Sequence, residues 1–380
     1  MSMNDTTKIN QHNVVSSNDA ITYIESLVNT LISDPSLAKK LPPVMLRGAP
    51  GVGKSTIVRS IAEKLGIEFI DIRLSQLERV DFCGLPSVED HTTAWNIPAF
   101  WPRDPKSKGI ILLDEITSAP ADVQVSAYSV VLDRQIPNSN YRIPDGWYVI
   151  AAGNRATDRA VVKTMSSALA NRFMHFEVDA NIEDWYEWAV QHNIHPSVTG
   201  FLKFRPALLC KMDGQNLECG WPSPRSWEKV SSIIPLFENN EEVLRKAVYG
   251  LVGPGAGLEF MEFHRTARKF DDVLEMLTNP KAKVVIPSKA DEKCAFIAAV
   301  NYLIWSGKTE ADHKKRVSGF FRILNEMTSD FCVMAAKAAL LGNIQVSRIQ
   351  AAKYIMNDAA YAEFAKKHAK AFTERHSLDK

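Results

Sequence analysis

Two short stretches of this 380-residue chain carry residue types that handle phosphate. Gly48-Ala49-Pro50-Gly51-Val52-Gly53-Lys54-Ser55 has the spacing G-x-x-x-x-G-K-[ST] and runs into Thr56. Glycines let a loop close round phosphate oxygens and offer them backbone N–H groups, and the helix that follows adds the positive end of its dipole. In such a loop the Lys54 ammonium reaches the β- and γ-phosphates, and the Ser55 hydroxyl takes a place on Mg²⁺. About sixty residues on, the apolar run Gly109-Ile110-Ile111-Leu112-Leu113 ends in Asp114-Glu115. A strand that delivers two carboxylates beside a phosphate loop suits hydrolysis. Asp114 holds the metal's shell, and Glu115 polarises the attacking water as general base.

These residues need a frame to hold them. Short apolar runs (Pro43–Arg47, Ile67–Ile72, Gly109–Leu113, Tyr148–Ala152, Phe173–Val178) alternate with helical patterns (Lys54–Leu65, Ala121–Leu132, Val161–Ala170). Strands apolar on both faces and separated by helices predict a parallel sheet covered on both sides. Beyond about residue 180 the strand signals fade into helices. The expected organisation is a flexible arm over 1–17, an α/β nucleotide-binding domain over 18–180 with an insert at about 74–108, a helical lid over 181–285 and a helical region over 286–380. The fold class is therefore α/β, a P-loop NTPase followed by helices.

The base-reading Asn-Lys-x-Asp of a GTPase is missing. Ser288-Lys289-Ala290-Asp291 has the wrong first residue and lies outside the α/β segment. ATP is the expected nucleotide. An ATP-dependent small-molecule kinase would usually lack the acidic pair.

In order and spacing these motifs resemble the AAA+ superfamily, and within it the MoxR-type ATPases of the helix-2-insert group, over about residues 40–260. The carriers besides the two motifs above are Ile70-Asp71-Ile72-Arg73-Leu74-Ser75-Gln76, Ala151-Ala152-Gly153-Asn154, Ala168-Leu169-Ala170-Asn171-Arg172-Phe173 and Ser223-Pro224-Arg225. The resemblance implies that Asn154 is sensor 1, placing the water with Glu115. It makes Arg172 an arginine finger donated to the next subunit, and Arg225 the sensor 2 of its own subunit. A helix C-terminus also welcomes an arginine for its dipole alone. Arg155 and Arg159 face either a neighbouring subunit or solvent. Part of the stretch from Leu74 to Lys108 becomes a pore-facing hairpin, and Gln135 to Gly146 becomes a second hairpin before sensor 1. Trp95, Phe100 and Trp101 either pack the insert or meet a partner.

The resemblance further implies a ring, expected to be a hexamer, that uses ATP and Mg²⁺ to remodel a protein client, commonly with a von Willebrand factor A-type partner. The alternative within the superfamily is a nucleic-acid motor or loader. Against it stands the charge balance: 45 Lys and Arg against 44 Asp and Glu, without the basic excess of an electrostatic nucleic-acid binder. The five cysteines form no CxxC pair, which suits reduced thiols rather than a disulfide framework or a zinc site. The first residues lack the apolar centre of a signal peptide, and no apolar run nears the roughly 18 residues of a membrane span. A cytoplasmic protein is the expectation.

Overall fold

The computed structural model describes residues 13–155, 158, 165–212, 219–237, 239–267, 272–343 and 345–374, with side chains as far as 368. Six strands form one parallel sheet: β1 (Val14–Val15), β2 (Val44–Arg47), β3 (Glu68–Arg73), β6 (Gly109–Asp114), β7 (Trp147–Gly153) and β8 (Met174–Val178), in the spatial order β1-β8-β2-β7-β6-β3. The expected strands are all present, within a residue or so at each end. β1 is an addition. Two residues of the expected arm pair with Glu177 and Val178 of β8, too short a run for any sequence pattern to announce.

Side chains explain why the sheet sits in the middle. Every residue of β6 and β7 is buried, and alternate residues serve opposite faces, as the two-residue period of a strand requires. Met45, Ile111, Leu113, Val149 and Ala151 pack with the helix Ala121–Asp133. Val44, Leu46, Ile110, Leu112, Ile150 and Ala152 pack with the helices Ser17–Ser33 and Lys54–Leu65. Both faces are covered, so the sequence reads as unbroken apolar runs rather than as alternation.

The insert has its own architecture. A short helix, Arg79–Cys83, leads into the antiparallel hairpin of β4 (Leu85–Glu89) and β5 (Thr92–Asn96). The hairpin turns at Asp90 and His91, with φ of 46° and 64°, the left-handed pair that a two-residue turn needs to match strand twist. Gly84 starts the hairpin at φ 93°, where a Cβ would fall 2.0 Å from the Asn96 carbonyl oxygen. Of the insert aromatics, Trp101 is 1% exposed, stands edge-on to Phe82 and donates its Nε1–H to the Phe82 carbonyl at 3.1 Å. Trp101 is core. The stretch Gln135 to Gly146 is not the expected two-stranded hairpin. One antiparallel bridge joins Gln135 and Arg142, and the buried Ile136 and Ile143 pin the excursion to the domain.

The chain divides into two compact units, Met1–Asn181 and Ile182–Lys380. Among the described residues, the regular elements of the second are all helices. Its helix Ala290–Ile304 packs on Pro196–Phe204 and Pro254–Ala267, so segments on both sides of the division expected near 285 share one body. Residues 161–164 of the expected helix Val161–Ala170, and Arg159 before it, lie outside the described residues; of the remainder, Ser167–Ala170 is helical and Met165 and Ser166 are not. No helix among the described residues is long and apolar enough to cross a membrane.

Trp101 gives a direct check on the insert. Trp101→Ala should cost about 3–5 kcal/mol of stability, the usual penalty for emptying a large aromatic site. Urea unfolding followed by fluorescence or circular dichroism measures it. A loss under about 1 kcal/mol would mean that the indole is not packed as described.

Candidate nucleotide site

All five long strands run the same way, so their C-terminal ends share one rim, and the candidate residues gather there. β2 ends at Arg47 and the phosphate loop begins. At Gly48 a Cβ would lie 2.4 Å from the Val178 carbonyl oxygen, so only glycine lets the loop pass the end of β8. Gly53, at φ 98°, is the N-cap of the helix Lys54–Leu65 and supplies no side-chain cap. The first-turn N–H groups are thereby left for an anion.

Lys54 is 8% exposed. Its Nζ donates to the carbonyls of Gly48 (2.7 Å) and Ala49 (3.1 Å) and to Oδ1 of Asn154 (3.2 Å). An ammonium so buried must have its three N–H groups accepted. Here the acceptors come from the loop and from the end of β7. Asn154 is in turn fixed from the other side, its backbone N–H donating to Thr117 Oγ1 at 3.1 Å.

The acidic pair sits beside the loop. Ser55 Oγ donates to Asp114 Oδ2 at 2.6 Å, and the Glu115 N–H donates to Asp114 Oδ1 at 2.8 Å. Glu115 has φ 57°. A left-handed glutamate is strained by about 1–3 kcal/mol, the kind of strain found where a side chain is aimed rather than packed. Ser75, in the turn after β3, donates its hydroxyl to Glu115 Oε2. Register explains the meeting: Arg73 pairs with Asp114, so the residues just beyond are level. Asp71 lies on β3 two residues before Arg73. Burial first, and then the charge of Asp114, push its carboxyl up, while Arg73 and Arg59 pull it down.

Hard oxygens from Ser55 and Asp114, already in contact, are a donor set that suits Mg²⁺. The expected ATP-binding residues Gly48, Ala49, Pro50, Gly51, Val52, Gly53, Lys54, Ser55 and Thr56 form one loop-to-helix turn, and Asp114, Glu115 and Asn154 border it.

Two expected residues are elsewhere. Arg172 precedes β8, and β8 lies parallel to β2 with Met174 opposite Val44. Arg172 therefore stands level with Pro42, at the opposite rim from Gly48, six residues of strand or about 20 Å away along the sheet. Its Nη1 donates to the Ala168 carbonyl at 2.7 Å, and its guanidinium lies 4.6 Å from the Tyr128 ring centroid. Arg225 is exposed in the first turn of the helix Pro224–Ile233, in the second unit.

Arg155 answers the choice between neighbour and solvent differently. Its guanidinium bonds within its own chain to Asp158 (3.0 Å), Glu177 (2.8 Å) and Asp179 (3.4 Å). Burial draws its pKa down, but the bond to Glu177 and the charge of Asp158 more than reverse this, so it is raised. Arg155 follows β7, and Glu177 is on β8, with β2 between them. The ion pair thus straps across the strand that feeds the phosphate loop. Ser75, Thr117 and Arg155 had no role assigned from sequence.

Arg155→Ala should lower kcat for ATP about tenfold or more while leaving KM within about twofold, because small displacements of a positioned group cost rate rather than affinity. Arg155→Lys should restore part of it. Equal losses in kcat and thermal stability, with no rescue by lysine, would make the strap merely structural.

Comparison with known proteins agrees with this geometry. Residues 43–173 match the family of the AAA domain (dynein-related subfamily). Midasin of Giardia intestinalis is 28% identical over 156 residues, 40% of this chain and 3% of that protein. Lon protease 2 of Borreliella burgdorferi is 32% identical over 116 residues, 29% of this chain and 14% of that protein. The chain thus spans a small fraction of the length of either relative. Among solved structures, NtrX from Brucella abortus in complex with ADP has a TM-score of 0.36 at 15% identity, covering 90% of this chain and 68% of that one. A mutant of RuvB from Thermotoga maritima has a TM-score of 0.30 at 18% identity, covering 76% and 84%. With the sheet order, the phosphate loop and its acidic strand already in place, the family match makes residues 43–173 an AAA+ ATPase domain.

Proposed function

We propose that the whole chain is an ATP-driven remodeller of the MoxR type, working in the cytoplasm as a ring, expected to be hexameric, with ATP hydrolysed between subunits. One observation carries the reading. Lys54, Ser55, Asp114, Glu115 and Asn154 converge on one rim of the sheet, while Arg172 stands at the other. A single chain holds the groups that bind phosphate and activate water, but its Arg172 faces away from them, as an arginine that serves a neighbour must.

Glu115 takes the proton of the attacking water, with Ser75 and the left-handed backbone holding its carboxylate off the strand end. Asn154 orients that water through the amide that Lys54 also touches. When bound at Ser55 and Asp114, Mg²⁺ would neutralise charge on the β- and γ-phosphate oxygens. In the helical unit Arg225 serves as sensor 2, and residues 181–285 act as the lid. The exposed hairpin of β4 and β5, with Val88 83% exposed, meets the protein client, and a von Willebrand factor A-type protein is the partner. The charge balance again weighs against nucleic acid.

Glu115→Gln should bind ATP yet hydrolyse it at under about a hundredth of the normal rate, since an amide cannot serve as the base. In sedimentation with ATP it should form a ring; a strict monomer at micromolar concentration would sink the assembly. The finger has its own check. Arg172→Ala should keep ATP affinity and lose about 10³–10⁵ in rate if it matches the best-studied fingers. Lys54→Ala should lose binding. Mixed together, the two inactive proteins should regain activity where an intact site meets an intact arginine. No rescue, with subunit exchange demonstrated, would count against action across an interface.

A further inference from the structure

At the rim opposite the phosphate loop, a cavity of ≈ 190 Å³ opens between the turn ahead of β2, the end of the helix Ala121–Asp133 and the residue ahead of β8. Its chemistry is one-sided. Lys39, Lys40, Arg134 and Arg172 line it together with Pro43 and Tyr148, and there is no Asp or Glu among its lining residues. A pocket of this size suits an inorganic ion rather than an organic ligand, whose sites run larger.

Arg134 is the unusual member. It is 6% exposed, and its Nη2 donates to the carbonyls of Pro144 (2.7 Å) and Trp147 (2.8 Å). Those acceptors satisfy geometry but bring no negative charge. Burial pulls its pKa down in spite of the nearby Asp145 carboxylate. Its Nε is buried with no partner among the described residues, and so is the Nε of Arg172. Two arginines that line one cavity, each with a guanidinium N–H that has no partner among the described residues, are donors that a tetrahedral oxyanion can answer. Lys39 and Lys40 are exposed, in no ion pair among the described residues, and add positive potential at the mouth.

We propose that this cavity binds inorganic phosphate within a single chain, gripped by Arg134 and Arg172 and attracted by Lys39 and Lys40. The binding needs no neighbour and so stands apart from the ring reading. Where that reading also holds, an occupied cavity ties Arg172 to its own chain, and phosphate inhibits ATP turnover without competing for ATP.

The test is calorimetric titration of inorganic phosphate into the full chain carrying Lys54→Ala, which weakens the phosphate loop. A site of about millimolar Kd is expected, typical of a small, partly hydrated ion. In the same background, Arg172→Gln and, separately, the double change Lys39→Glu with Lys40→Glu should each weaken it at least tenfold. The two lysines are exposed, so that second variant folds whatever Arg172 does. Absence of phosphate binding in the Lys54→Ala chain, or binding unchanged in both variants, would overturn the proposal. Loss of phosphate binding without rescue in the mixed-subunit experiment would keep the cavity and remove only the finger.

Discussion

The burial of one ammonium organises the nucleotide rim. Lys54 is almost wholly withdrawn from water, a costly place for a positive charge unless its protons are accepted. Two acceptors are carbonyls of its own loop and the third is the Asn154 side chain, 100 residues along the chain. That third contact requires β2 and β7 to be adjacent and parallel and to end level, which the register Arg47 opposite Gly153 provides. It also requires Asn154 to be held, which Thr117 does from the turn after β6. Phosphate loop, β7 and acidic strand are thus linked through a few polar contacts around a single cation. Three of the contacts that hold that cation are to neutral oxygens, which orient the ammonium at the mouth of the phosphate loop.

The same parallel sheet separates what it does not join. Strand direction puts every C-terminal end on one rim and the residue before β8 on the other. No side-chain rotation carries Arg172 around a sheet whose central strands are buried on both faces. A reaction that used both the Lys54 rim and Arg172 would have to draw them from two copies of the chain, and this polarity is what supports the proposed assembly.

What could be read from sequence was what is local. Gly48 to Ser55 fixes a loop, a helix start and a cation within eight residues, and the apolar run ending at Asp114-Glu115 announces a strand with its carboxylates at the end. The five long strands were legible because burial on both faces leaves unbroken apolar runs. What depends on register was not. Ser75 meets Glu115 only because β3 lies beside β6 with Arg73 level with Asp114. Arg155 finds Glu177 across an intervening strand, 22 residues away, and read alone it offered only a neighbouring subunit or solvent. β1 is two residues long. The insert hairpin has exposed Leu85 and Val88 and faces no core, so it carries no two-residue alternation to detect; its existence rested on resemblance.

A net charge of +1 means that no global field draws anions to this protein, and any steering must be local. The first unit meets that need in the same way at both ends of its sheet. Lys54 at one rim and Arg134 at the other are cations more than nine-tenths buried, and both donate to backbone carbonyls. A carboxylate partner would have cancelled the charge, as Glu177 and Asp158 largely do for Arg155. Carbonyls orient a cation and leave its field intact, in surroundings of low dielectric where that field is strong. The difference sorts these basic residues by what their hydrogen bonds reach: Arg155 donates to carboxylates and is a brace, whereas Lys54 and Arg134 donate to neutral oxygens.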